Sequence, residues 1–256
     1  MERKKKTGRI LTNIILVIAI AVFLFSGYQL YRAFSEYQKG VHEYKGLQEI
    51  AFGIDAPEGK KGDSFRLRNV DFAALQKINP DIVGWLQFEE PSTINYPIVQ
   101  GKDNDQYLHT TFERKQNASG TLFMDKDHAG DFSDVNTFIY GHNMKNGSMF
   151  GKLRKYKKSS FRDKYPYFYI HRPDGKIDKY EVFAVSVVKD MSDSYQKWFD
   201  TQEEFASYIK HVRDVSLYPT EVEVSQSDRI VSLSTCTNVT DDERLLVQGV
   251  LVTEAE

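Results

Sequence analysis

From Ile82 onward the chain is cut into short apolar runs by glycine, proline, asparagine and aspartate, and this spacing constrains the fold more than any other feature. The runs fall at residues 82–88, 93–99, 121–124, 137–140, 167–171, 179–188, 229–235 and 245–252, and they are rich in β-branched and aromatic side chains. Roughly eight strands of this length predict a barrel or a sandwich. Two helical inserts interrupt the series: residues 148–156 after the fourth run and 202–214 between the sixth and seventh. In the second insert Phe205, Ile209 and Val212 share one face, as a helix lying on a barrel requires. The aromatic supply, 15 Tyr and 17 Phe, also suits strands and a grooved surface.

The segment before these runs has a different character. Arg3, Lys4, Lys5, Lys6 and Arg9 precede an apolar stretch from Ile10 to Phe25, broken only by Thr12 and Asn13, which approaches the length needed to span a bilayer. Positive charge stays on the cytoplasmic side, so the body of the chain is expected outside the membrane. Phe25-Ser26-Gly27-Tyr28 offers no small-x-small cleavage site, which favours an uncleaved anchor over a signal peptide. Leu30, Phe34, Tyr37, Val41, Tyr44 and Leu47 then recur at three- and four-residue steps, predicting a membrane-proximal amphipathic helix that packs on the domain. Residues 56–64, with Pro57, Gly59 and Gly62, read as a surface loop. Asp71 is placed to cap a short helix over 72–78 that stops before Asn79-Pro80. The expected organisation is a cytoplasmic basic tail (1–9), a transmembrane signal anchor (10–27), a membrane-proximal helix and linker (28–70) and one extracellular domain (71–256).

A net charge of −2 provides no broad basic field, so nucleic acid is not an expected partner. The histidines are scattered, and the acidic loop of Asp125, Asp127, Asp131 and Asp134 lacks the glycine and terminal glutamate of an EF-hand. That loop reads as solvated, and neither a metal nor a cofactor is expected.

The chain has one cysteine, Cys236, and so forms no intramolecular disulfide. Count alone leaves a nucleophile and an inert buried thiol equally open. Cys236 ends the run 230–236, where a side chain can emerge at a barrel rim, and Arg244 opens the next run eight residues later. A hairpin of that size brings a permanently charged, forked donor near the sulfur, suited to an oxyanion. The alternative for Arg244 is a solvated strand residue paired with Asp241, Asp242 or Glu243. Of six histidines, His142 stands apart because it follows a β run and Gly141. It reads either as the base for the thiol or as a polar turn residue.

Tyr140-Gly141-His142-Asn143, then Gly147-Ser148-Met149-Phe150, then Leu233-Ser234-Thr235-Cys236 with a downstream Arg244, together resemble the sortase family. The segments 79–85, 95–101 and 103–108, and the helix before the cysteine run, resemble class B in particular, and the likeness extends from about Asp71 to Val252. The resemblance implies an eight-stranded sortase-type β-barrel with N-terminal helices and a membrane-anchored cysteine transpeptidase. Cys236 would form a thioacyl intermediate with the C-terminal sorting motif of a secreted protein. His142 would exchange protons with the leaving and incoming amines, and Arg244 would stabilise the oxyanion. The acceptor would be an amino group of a peptidoglycan precursor or a pilin lysine. Asn104, Leu108, Ser234 and Thr235 match groove positions, and Tyr195 is a further candidate for the groove wall.

Two departures bear on this. Ser232 stands where many members have threonine, and Asn238 where many have an acid, which leaves open what orients the histidine. With thiol and imidazole near their ordinary pKa values, only a minority of molecules would hold the thiolate–imidazolium pair at neutral pH, and turnover would be slow. Two other functions fit less well: a secreted cysteine protease, which would set its nucleophile in a glycine-rich turn, and a non-catalytic, membrane-tethered peptide-binding domain.

Overall fold

The computed structural model describes residues 2–53 and 65–252. Eight strands close into a barrel: β1 (Ile82–Phe88), β2 (Asn95–Val99), β3 (Leu122–Met124), β4 (Asn136–Tyr140), β5 (Tyr167–His171), β6 (Ile177–Lys189), β7 (Ile230–Cys236) and β8 (Glu243–Leu251). Their order around the barrel is β1-β2-β3-β4-β7-β8-β6-β5, with β5 returning to β1. The β2/β3 and β4/β7 pairs are parallel and the others antiparallel. All eight expected runs become strands, with ends displaced by one or two residues.

The barrel interior is filled by side chains such as Leu86, Ile98, Leu122, Ile139, Leu233 and Val247, none of which is exposed. On the outside of β6, β7 and β8, helix α4 (Gln202–Asp214) covers a second apolar cluster. Phe205, Tyr208, Ile209 and Val212 pack there against Phe183, Ile230 and Val250. Strand β7 is therefore buried on both faces as far as Thr235, and its sequence reads as a continuous run rather than an alternating one. Thr201 caps α4 by accepting from the Glu204 amide at 3.1 Å.

Helix α2 (Phe72–Ile78) is capped as expected, the Asp71 side chain accepting from the Ala74 amide at 2.9 Å. Three expectations need amendment. Helix α1 runs unbroken over Glu2–Phe52, so the apolar stretch and the amphipathic segment are one rod; no proline interrupts it, and each isolated glycine costs only about 1 kcal/mol relative to alanine. Its contact with the barrel begins near Tyr37: Tyr44, Leu47 and Ala51 are buried, while Leu30, Phe34 and Val41 are exposed. The insert after β4 starts later than 148. Residues 143–151 instead close a loop through the Asn143–Met149 bridge, and helix follows as a 3-10 turn (Leu153–Lys157) and α3 (Ser159–Lys164). Gly147 at φ +83° and Met149 at φ +50° are incompatible with helix through that loop. Finally, Asp125 is not solvated but 1 % exposed. The expected loop over 56–64 lies outside the described residues.

Candidate active site

Strand β7 lies between β4 and β8, and this order places His142, Cys236 and Arg244 at one rim of the barrel. In the parallel pair Tyr140 is opposite Ser234, and the Gly141 amide donates to the Ser234 carbonyl at 3.2 Å. Two residues further on, His142 and Cys236 leave adjacent strands at the same rim, where neighbouring chains stand about 4.8 Å apart. On the other side Cys236 is the direct antiparallel partner of Arg244, so their side chains project from the same face. Ser232 and Ser234 share that outer face, whereas Val231 and Leu233 fill the barrel interior. Cys236 itself is half-buried.

His142 is held by Leu108, expected as a groove residue rather than as its partner, and by His109, which the sequence did not single out. Its Nε2 lies 2.6 Å from the Leu108 carbonyl, which can only accept, so Nε2 carries the proton and Nδ1 offers the lone pair. The His109 ring stacks on it with centroids 5.4 Å apart. Burial holds the His142 pKa below the ordinary histidine value; the Leu108 carbonyl opposes that shift and His109 adds to it. Gly141 is required by contact rather than by a left-handed backbone. A Cβ there would lie within 2.8 Å of the Phe150 ring and nearer still to Leu122.

The question left by Asn238 has a structural answer. It does not touch the imidazole; its Nδ2 donates to the Asn143 carbonyl at 3.0 Å, and Asn143 Nδ2 donates to the Cys236 carbonyl at 2.8 Å. Two asparagines thus clasp the histidine loop to the cysteine loop. Asn238 sits at φ +64°, a conformation asparagine tolerates better than most residues.

Arg244 donates to the carbonyls of Asp241 at 2.6 Å and Glu243 at 3.2 Å, and to the Asp190 carboxylate at 2.9 Å. Asp241 and Glu243 thus bind it through backbone oxygens, and the carboxylate that pairs with it is Asp190 rather than any of the three acids expected. Tyr195 donates to or accepts from Ser234 Oγ at 2.7 Å and stacks on Phe138 at 5.3 Å. Its pKa is pushed up to about 12, chiefly by burial, with Arg244 opposing and Asp190 and Cys236 adding to the rise.

Asn104 donates to Asp125 Oδ2 at 3.1 Å and accepts from the Lys126 amide at 2.8 Å. Asp125 also accepts from Tyr140 Oη at 2.9 Å and pairs with Lys197 at 2.5 Å. Burial alone would raise the Asp125 pKa, but Lys197 and the surrounding donors hold it below the usual carboxylate range. Leu108 is half-buried and contributes the carbonyl that orients His142. Thr235 points away from Cys236; it is 3 % exposed and its hydroxyl finds no partner. The other histidines divide clearly. His128 binds Asp134 and the Phe138 amide, His171 binds Gln87 and His211 binds Ser194.

A closed barrel with a thiol, an imidazole and a guanidinium on three adjacent strand ends holds the groups that cysteine-dependent acyl transfer uses. The sortase domain family model matches residues 90–252. Sortase B of Listeria monocytogenes is 36 % identical over 99 % of this chain and 100 % of its own length. A crystal structure of sortase B from Bacillus anthracis in complex with AAEK1 superposes with a TM-score of 0.72 at 32 % identity, covering 86 % of this chain and 100 % of that one. The Staphylococcus aureus sortase B–substrate complex superposes at 0.66 with 29 % identity, covering 72 % of this chain and 85 % of that one. The chain belongs to the sortase family, class B, and is a cysteine transpeptidase that anchors surface proteins through their sorting signals.

Proposed function

We propose that Cys236, His142 and Arg244 carry out a two-step transpeptidation at the rim formed by β4, β7 and β8. The Cys236 thiolate adds to a backbone carbonyl carbon of the sorting motif. The C–N bond then breaks, the departing amine takes a proton from the His142 imidazolium, and a thioester remains on Cys236. In the second step neutral His142 accepts a proton from the incoming amine, whose nitrogen attacks the thioester and releases the thiolate. Because Nε2 is committed to the Leu108 carbonyl, Nδ1 is the atom that gains and loses the proton. Arg244, opposite Cys236, donates to the oxyanion of each tetrahedral intermediate, and Asp190 fixes its guanidinium at the rim.

Tyr195 and Ser234, on the face of Cys236, form one wall of the peptide groove, and Asn104 and Leu108 support the other. Thr235 contributes as the backbone that sets the height of Cys236. The acceptor is an amino group of a peptidoglycan precursor or a pilin lysine. Residues 10–27 span the membrane, the basic residues 1–9 remain in the cytoplasm, residues 28–70 form the membrane-proximal helix and linker, and the catalytic domain of 71–256 faces outward. The exposed apolar side chains from Ile14 to Phe25 on α1, a helix long and apolar enough to cross a bilayer, support this arrangement.

The observation that carries the reading is the register: Tyr140 opposite Ser234, and Cys236 opposite Arg244. The test is incubation of residues 28–256 with a library of sorting peptides, with and without candidate amines, followed by mass spectrometry. Transpeptidation predicts a product that appears only with the amine. Cleavage that no amine diverts would assign a hydrolase, and no cleavage at all would assign a binding domain.

A further inference from the structure

The mechanism needs the Leu108 carbonyl held in place, and the group that holds it leads back to the membrane helix. Leu108 is flanked by two backbone contacts to residues 117–121: the Thr121 amide donates to Tyr107 O at 3.1 Å and the Asn117 amide to His109 O at 3.0 Å. Gly120 sits at φ +54°, and a Cβ on it would lie 2.6 Å from Tyr107 O and closer still to Leu108 O. Residues 117–121 are therefore pressed directly on the carbonyl that accepts the hydrogen bond from His142 Nε2.

Helix α1 clamps that segment at three points. Tyr44 Oη donates to the Gly120 carbonyl and stands 3.1 Å from Thr121 Oγ1, whose own proton goes to Thr110 O at 2.9 Å. Asn117 Nδ2 donates to Glu36 O at 2.8 Å. Gly40 leaves room for only hydrogen against Ser119, where a Cβ would come within 2.9 Å of Oγ. Tyr44 is 4 % exposed, and burial keeps its hydroxyl protonated, so it acts as a fixed donor.

We propose that Tyr44 is a positioning residue for His142: from the helix that continues into the apolar anchor, it holds Gly120 against Leu108 and thereby fixes the tautomer and orientation of the catalytic imidazole. The inference rests on the assignment of His142 as the proton shuttle. It makes the membrane-proximal part of α1 a component of the catalytic apparatus rather than a tether.

The test uses the full chain in detergent micelles, labelled with ¹⁵N-histidine, with the His142 signals assigned by their loss in His142→Gln. In the unaltered protein the shifts should report a protonated Nε2 and an unprotonated Nδ1. Tyr44→Phe should mix in the opposite tautomer and move the His142 titration to lower pH, because the carbonyl that favours the imidazolium is loosened. It should also lower kcat about tenfold with KM unchanged. Gln48→Ala removes a different α1 contact, the 2.8 Å bond to Asn95 O, and should leave the His142 signals untouched. If Tyr44→Phe does not fold, Asn117→Ala tests the same clamp from the other side. Unchanged His142 shifts and titration in the folded Tyr44 or Asn117 variant would overturn the proposal. Retention of activity by His142→Gln would instead sink the shuttle assignment, a result read independently of the tautomer.

Discussion

Arg244 serves three acceptors at once, two backbone carbonyls and the Asp190 carboxylate, and only a planar fork does so without moving its stem. Arg244→Lys is expected to lower kcat about 10²–10³-fold, the usual cost of removing an oxyanion donor, with a small change in thermal midpoint. Steady-state peptide cleavage and a melting curve on the same sample check both. A second residue-scale expectation concerns His171. Burial lowers its pKa from 6.5 to about 4, and its Nδ1 has no partner. The folded state therefore resists a proton that the unfolded chain accepts, so stability contributed by neutral His171 is lost as pH falls from about 6.5 toward 4. The gap corresponds to about 3 kcal/mol, and His171→Gln should flatten that part of a denaturation profile taken between pH 7 and 4.5. At this scale the positions of Cys236, His142 and Arg244 at strand ends were legible, but their residue types alone left each with a bland alternative, and the roles proposed for them came from the family resemblance. The Leu108 carbonyl, His109 and Asp190 were not legible as partners, since a carbonyl has no residue type and the other two meet the site only through long-range pairing, while Asn143 stood in the quoted motif without its bond to Cys236 being readable.

Among the elements, the β4-β7-β8 trio holds the residues proposed to carry the chemistry, and its weakest tolerance is at the exit of β4. Gly141→Ala would force a methyl against Leu122 and Phe150, an overpacking expected to cost about 1–3 kcal/mol and to displace His142. A shifted denaturant midpoint together with a reduced kcat/KM is the expected outcome; an unchanged kcat/KM would show that the loop absorbs the methyl without moving the imidazole. Strand positions could be read from the sequence because burial on both faces makes the runs continuous. The pairing order could not, because two parallel contacts, β2/β3 and β4/β7, join strands across long connections. The helix expected from 148 moved downstream for a local reason. Gly147, Met149 and the Asn143–Met149 bridge commit that stretch to supporting the histidine loop.

Over the whole molecule, α1 joins the N-terminal apolar stretch to the barrel as one continuous helix. From Tyr28 to Tyr44 the helix rises about 24 Å at 1.5 Å per residue, so a membrane-spanning apolar stretch, as proposed, would stand about that far from the Tyr44 contact. A chain starting at residue 53 loses Tyr44 and Leu47 from the core and should be less stable than one starting at 28 by about 3–6 kcal/mol, at about 1.5–3 kcal/mol per buried side chain. Urea denaturation of the two chains measures this directly. The single cysteine also makes orientation testable: a membrane-impermeant maleimide added to intact cells should label the protein if the rim faces outward. The same thiol offers the most direct test of the chemistry. Mixing the folded chain with a sorting peptide in the absence of any amine, quenching in acid and mapping the fragments by mass spectrometry should locate an acyl adduct on Cys236, removed on adding the acceptor amine. Peptide cleavage without such an adduct, or undiminished cleavage by Cys236→Ala, would contradict the account.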